Sequence, residues 1–167
     1  CSPKINKLTG LEDFKFIFVP HMYSDLKIIS RVIENCSDTL RRTKISVHSC
    51  GLGNDAALQA ISLYQNASLV LGMRFHSNVC PISLRVPNFG ISTYPQIDNL
   101  YDEVGLKERV LKYNGTGFAD LIVSNSINAI QNQVTFTDEN QKVMEQVLSQ
   151  RRAFERVFEN WFNFYFI

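Results

Sequence analysis

The sequence predicts an α/β protein, a Rossmann-like parallel sheet with helices on both faces. Three observations lead there. Strand-like apolar runs alternate along the chain with stretches of helical spacing, the order that builds a parallel sheet covered by helices. The unit of strand, loop and capped helix recurs at least twice before residue 91. At 167 residues and 45% hydrophobic content, the chain is the size of one domain with a substantial core.

Residues 14–19, Phe-Lys-Phe-Ile-Phe-Val, read as a first central strand ended by Pro20. Ser24 or Asp25 can cap the next helix by accepting from free first-turn amides, and Leu26, Ile29, Val32 and Ile33 then repeat at helical spacing. Residues 44–48 give a second strand. Residues 55–64 give a second helix, with Ala56, Leu58, Ile61 and Leu63 apolar, and 68–71 a short third strand. After Gly72-Met73-Arg74 come a helix over about 75–84 and a fourth strand over 86–91. Residues 96–104 read as a helix closed by Gly105, and 118–131 as one carrying Leu121, Ile122, Ile127 and Ile130 on one face. A long helix runs from about Asp138 and ends in an aromatic run at 161–166. Those aromatics either fill the core or meet something outside this chain, including a second copy.

Composition excludes several classes. A formal charge of +1 gives no electrostatic reason to expect nucleic acid or an anionic membrane. Cys1, Cys36, Cys50 and Cys80 form no C-x-x-C pair, which fits a reducing cytoplasm. His21, His48 and His76 lack short spacing to cysteine or carboxylate, so no metal is expected, and His48 reads as structural. No run is long and apolar enough for a membrane span. Gly51-Leu52-Gly53-Asn54-Asp55-Ala56 satisfies a dinucleotide fingerprint. It lacks the acidic residue at the end of the next strand, where Leu71-Gly72-Met73-Arg74 stands. These glycines read as a tight turn with Asn54 or Asp55 capping the helix, and no cofactor is expected.

The informative segment is Ala67-Ser68-Leu69-Val70-Leu71-Gly72-Met73-Arg74-Phe75-His76-Ser77, an apolar strand that empties into a helix start. Ligands of open α/β sheets gather at such carboxyl ends, and free amides at a helix amino terminus attract anions. Arg74 adds a planar fork that meets carboxylate or phosphate with two bonds. His76 is either the proton donor or acceptor beside that anion or a structural residue at a helix start. Ser77 either donates to a phosphate oxygen or caps its helix. His21, at the end of the first strand, binds substrate or bonds to its own loop, and Tyr94 stacks on a sugar or packs.

Together with Val86-Pro87-Asn88-Phe89-Gly90-Ile91-Ser92 and Tyr94-Pro95, that segment resembles the signature of the polysaccharide pyruvyl transferase family. Phe18-Val19-Pro20-His21 followed by Ser24-Asp25 resembles the family's strand ending in P-H with an acidic residue after it, so the matches cover roughly 14–106. The resemblance implies that residues 1–167 form a single Rossmann-like domain, the carboxy-terminal half of a longer two-domain enzyme of glycosyltransferase-B architecture. It implies transfer of pyruvyl from phosphoenolpyruvate to a sugar hydroxyl of a cell-surface polysaccharide precursor, in exopolysaccharide biosynthesis. The partners would be phosphoenolpyruvate, a glycan or lipid-linked sugar acceptor and the missing amino-terminal domain. The isolated chain would be inactive or weak. The location would be cytoplasmic, with peripheral attachment to the inner face of the membrane left open. On this analogy His76 is the catalytic acid or base and Arg74 holds donor carboxylate or phosphate, with Ser77, His21, Gly72 and Tyr94 completing the substrate-binding set.

Three positions depart from the family pattern. Gln96 stands where lysine is frequent, Cys80-Pro81 interrupts a usually plain apolar helix and suggests a shortened or kinked one, and Arg85 replaces the glycine before Val86-Pro87. The competing expectations are a sugar-nucleotide glycosyltransferase half-domain and a non-catalytic sugar-binding or assembly module.

Overall fold

The computed structural model describes residues 14–48, 54–113 and 115–166. Cys1, Cys50 and the turn at 51–53 lie outside the described residues, as do the side chains of Asn54 and of the aromatic run at 161–166.

Strand β1 (Phe16–Phe18) is followed by Val19-Pro20, where proline has no N–H to extend a ladder. Helix α1 (Asp25–Glu34) and a six-residue helix α2 (Asp38–Thr43) lead to β2 (Ile45–Val47). Helix α2 is too short to show a period in the sequence, but Ser37 caps it by accepting the Leu40 N–H at 3.3 Å. Then follow α3 (Asn54–Gln65), β3 (Val70–Gly72), α4 (His76–Ser83), β4 (Asn88–Ser92) and α5 (Pro95–Glu103). A 3-10 turn (Lys107–Arg109) feeds a fifth strand, β5 (Val110–Lys112), whose three residues the apolar pattern does not reveal. Helix α6 (Phe118–Gln131) and the 34-residue α7 (Gln133–Phe166) complete the chain. Helix α7 begins five residues before the expected Asp138, because only Asn132 leaves helical geometry between the two helices.

Every ladder is parallel, as a Rossmann-like fold requires, and the ladders divide between two sheets. In one, Phe16 lies opposite Ile45 and Phe18 opposite Val47. In the other, the order is β3-β4-β5, with Gly72 opposite Gly90 and Ser92 opposite Lys112. Side-chain packing links the two sheets, since Val19 sits against the cluster of Tyr64, Val70 and Val86.

Successive strand residues face opposite ways, and β4 shows what covers each face. Phe89 packs with Leu111, Ala129 and Phe136, toward α6 and the start of α7. Its neighbour Gly90 lies against Tyr101, Ile97 and Asn78 of α5 and α4. Helices therefore cover both faces of this sheet. The α4–α5 side is sealed by Ile82, Ile97, Tyr101, Leu106 and Val143, with Ile97 and Tyr101 wholly buried. Each such side chain stabilises the fold by about 1.5–3 kcal/mol through area removed from water.

Helices α4 and α5 end on the same capping geometry. In α4 the Val86 N–H donates to the Pro81 carbonyl at 2.9 Å and the Arg85 N–H to Ile82 at 3.1 Å. In α5 the Leu106 N–H donates to Tyr101 at 2.8 Å and the Gly105 N–H to Asp102 at 3.2 Å. Both pairs satisfy carbonyls left over at a helix end, and both need a left-handed residue just past it. Pro81, buried within α4, stands two residues before the end of this eight-residue helix.

Candidate active site

Two loops at the carboxyl ends of β1 and β3 meet, and Asp25 joins them. Its Oδ2 accepts the backbone N–H groups of His21 and Met22, each at 3.1 Å, which folds the β1–α1 loop back onto α1. Its Oδ1 accepts from Nη2 of Arg74, 49 residues away. Burial opposes ionisation of Asp25. The Arg74 guanidinium and the two N–H groups outweigh it and hold the carboxyl below its usual range. The same bond to Asp25 raises Arg74 further.

The Arg74 backbone is held by the first turn of α4. Its N–H donates to Ser77 Oγ at 3.0 Å, while its carbonyl accepts from Ser77 Oγ at 2.7 Å and from Asn78 Nδ2 at 2.8 Å. The Ser77 hydroxyl is thus engaged with the Arg74 main chain in this structure. On either side, Thr93 Oγ1 donates to the Met73 carbonyl at 3.1 Å and the Phe75 N–H donates to the Tyr94 hydroxyl at 2.9 Å. Tyr94 is half-buried, its ring packed on the cluster under α5. Gly72 is buried, and a Cβ there would lie 2.5 Å from Asn78 Oδ1, so the position has no room for a side chain.

Behind Asn78 runs a buried polar chain with one direction of donation. Arg109 Nη1 donates to Asn140 Oδ1 (2.7 Å), and Asn140 Nδ2 to Asn88 Oδ1 (3.2 Å). Asn88 Nδ2 donates to the Tyr101 hydroxyl (2.5 Å), and that hydroxyl to Asn78 Oδ1 (2.9 Å). Asn78 then donates to the Arg74 carbonyl. Asn78, Asn88 and Asn140 are fully buried and Arg109 nearly so. Arg109 is neutralised by Glu139 and stacks over the Phe136 ring at 4.5 Å. Buried amides are stabilising only when paired, and hydrogen bonds in series polarise one another.

His76 opens α4, its exposed imidazole edge-on to Phe75 with centroids 6.0 Å apart. The N–H groups of His76 and Ser77 lie in the first turn of that helix, while the Asn78 N–H donates to the Phe75 carbonyl at 3.0 Å. His21 is held by Tyr64, its Nε2 2.5 Å from the hydroxyl and the rings stacked at 6.2 Å. Although His21 is exposed as a residue, desolvation of its ring lowers its pKa. The nearby positive charges of His76 and Arg74 add to this against the pull of Asp25, which places both histidines in one electrostatic neighbourhood. Tyr64 is itself pushed up to about 12 by burial. Met22, Tyr23, Met73 and Phe75 stand exposed around these groups.

Of the residues expected from sequence, Gly72, Arg74, His76, Ser77 and Tyr94 share one loop system, and His21 reaches it through Asp25. Asp25 was expected as a cap and as the acidic residue that follows the family's P-H motif, without its partner Arg74, and Tyr64, Asn78 and Tyr101 were not expected at all. A signal existed for Asn78, a lone amide inside an apolar helical run. Tyr64 had none, since its partner is 43 residues away. Among the described residues, no three His, Cys, Asp or Glu side chains cluster as a metal site. No helix among them is long and apolar enough to cross a membrane.

The family model for polysaccharide pyruvyl transferase matches residues 4–94. All six expected site residues fall within that segment, whereas the supports at Tyr101, Arg109 and Asn140 lie beyond it. No curated protein and no solved structure matches the chain.

Proposed function

The chain belongs to the polysaccharide pyruvyl transferase family, a family of transferases acting on saccharides, and from that premise we propose that it takes part in moving pyruvyl from phosphoenolpyruvate to a sugar hydroxyl. The observation that carries this reading is the joining, through Asp25, of the loop that bears His21 to the loop that bears Arg74 and His76, where β1 and β3 end. Phosphoenolpyruvate carries carboxylate and phosphate, and a guanidinium beside the first-turn amides of His76 and Ser77 suits both. Asp25 holds the fork ready through one nitrogen, leaving the other donors for the ligand.

The chemistry asks for a proton at the methylene carbon, which becomes a methyl group and leaves the adjacent carbon cationic. A sugar hydroxyl oxygen bonds to that carbon and gives up its proton. The bond to the phosphate oxygen breaks and phosphate departs, after which a second hydroxyl closes the ketal. We assign the supply and recovery of protons to His76, an exposed imidazole two residues from Arg74. Arg74 holds the anion, and Gly72, Ser77 and Tyr94 shape the loop around it.

The exposed apolar rim of Met22, Tyr23, Met73 and Phe75 supports a further reading of this edge as one wall of a cleft, closed by an amino-terminal half in a two-domain enzyme. Calorimetric titration of phosphoenolpyruvate and, separately, of a sugar nucleotide tests the function. Phosphoenolpyruvate should bind, and Arg74→Ala should weaken it about tenfold or more, the worth of a charged hydrogen bond. His76→Ala should keep binding but lose turnover once the amino-terminal half is supplied. Binding of the sugar nucleotide alone would transfer the assignment to a glycosyltransferase, and binding of neither with the second half present would leave an assembly module.

A further inference from the structure

Two histidines on two joined loops raise the question of which moves protons, and the buried Tyr64 answers it. Tyr64 is 5% exposed and packed with Val70 and Val86, so its phenol proton requires a protein acceptor. The acceptor at hand is His21 Nε2, 2.5 Å away. A proton on Nε2 would set two donors against each other, or leave the phenol proton without a protein acceptor on a residue only 5% exposed. The neutral ring therefore carries its proton on Nδ1. Protonation to imidazolium meets the same clash, and the neighbouring charges lean the same way. Arg74 and His76, from the β3–α4 side, oppose a further cation, while Asp25 of α1 spends Oδ2 on the His21 backbone and Oδ1 on Arg74.

We propose that Tyr64 is a positioning residue that fixes His21 as the neutral Nδ1–H tautomer, so that His21 donates a hydrogen bond to a substrate oxygen and proton transfer falls to His76. The donor role rests on the pyruvyl-transfer reading, whereas the tautomer stands independently of any ligand. His21 has no basic nitrogen to offer because its lone pair is taken. Its Nδ1–H remains as a donor that does not switch off near neutral pH, suited to a phosphate, carboxylate or hydroxyl oxygen.

Long-range proton–nitrogen correlation spectra of the nitrogen-labelled chain read the tautomer directly, with His21→Gln identifying the signal. The expected pattern at pH 7 is a protonated Nδ1 and an unprotonated Nε2. In Tyr64→Phe, which preserves the ring packing, the tautomers should mix and the His21 titration midpoint should rise. A protonated Nε2 in the unaltered chain, or a midpoint unmoved in Tyr64→Phe, overturns the proposal. The donor role is read by phosphoenolpyruvate affinity in two amide variants. Asn in place of His21 sets an N–H near Nδ1, and Gln sets one near Nε2. His21→Asn should bind about tenfold tighter than His21→Gln, and equal or reversed affinities overturn that role. If the unaltered chain binds no phosphoenolpyruvate even with the amino-terminal half present, the proposed function and the donor role fall together, while the tautomer is still decided by the ligand-free spectra.

Discussion

Arg109 and Arg74, whose side chains never touch, are joined by an unbroken run of hydrogen bonds in which every donor points toward the Arg74 carbonyl. The run starts at a buried cation paired with Glu139 and passes through Asn140, Asn88, Tyr101 and Asn78. It ties the loop that presents the arginine fork to α7, which also packs against α4 and α5 through Val143. Its middle link is the most informative to cut. Tyr101→Phe keeps the ring but leaves Asn78 Oδ1 without its donor and takes the acceptor from Asn88. Two orphaned buried groups should cost about 2–5 kcal/mol, read as a lower urea midpoint at unchanged slope. Phosphoenolpyruvate affinity should fall as well, although Tyr101 lies remote from the anion.

Gly72 and Asn78 compete for one volume. Gly72→Ala puts a methyl group 2.5 Å from the Asn78 amide and should destabilise by about 1–3 kcal/mol through overpacking. Asn78→Ala removes both the clash and two hydrogen bonds, so in the double variant the two costs should sum to less than their separate values. Additive costs in a denaturant-unfolding cycle would mean that the loop moves aside instead.

Acid should weaken the fold in two stages of the same sign. The His21 pKa is lowered from 6.5, chiefly by burial, so the fold favours the neutral ring. That contribution is complete above 6.5 and is withdrawn as pH falls through the folded value. The Asp25 carboxyl is lowered from 3.8 by Arg74 and the His21 and Met22 amides, against the effect of burial. Its contribution holds above 3.8 and is lost as pH falls further. His21→Gln should abolish the shallow first stage of the melting-temperature profile and Asp25→Asn the second. At neutral pH, Asp25→Asn should cost only about 1 kcal/mol, because the Arg74 side chain is 37% exposed and solvent screens the pair.

Arg85 and Gly105 hold the same left-handed position, at φ 62° and 73°, after α4 and α5. Only glycine takes that geometry without crowding its Cβ, which costs other residues about 1–2 kcal/mol. Arg85→Gly should therefore raise the melting temperature by a few degrees and Gly105→Ala should lower it. An unchanged temperature for Arg85→Gly would mean that its side chain, exposed on the surface, returns as much stability as its backbone loses.

The elements visible in the sequence are those whose signal is local. Helix α6 was legible over Phe118–Gln131 because Leu121, Ile122, Ile127 and Ile130 repeat on one face. The order of strand, glycine and helix from Val70 to Ser83 was legible for the same reason, as was the concentration of Arg74, His76 and Ser77 in one turn. Helix α2 and strand β5 were missed because six and three residues are too few to establish a period. The start of α7 was placed late because Asn132 alone makes the bend, with no glycine or proline to announce it.

By itself, the sequence determined the parallel α/β class, the carboxyl-edge position of the Gly72–Ser77 turn and the residue types gathered there. These follow from periodicity, glycine and proline placement and the chemistry of neighbours in the chain. Only the tertiary structure decided that Asp25 holds Arg74, that Tyr64 occupies a nitrogen of His21 and that Asn78 hangs from a buried chain ending at Arg109. Each of these pairs spans 13 to 52 residues, apart from the link within the Arg74–Asn78 turn. Hydrogen bonds act over about 3 Å. Which polar groups come that close, and are deprived of water so that pairing becomes obligatory, depends on how the helices stack on the sheet.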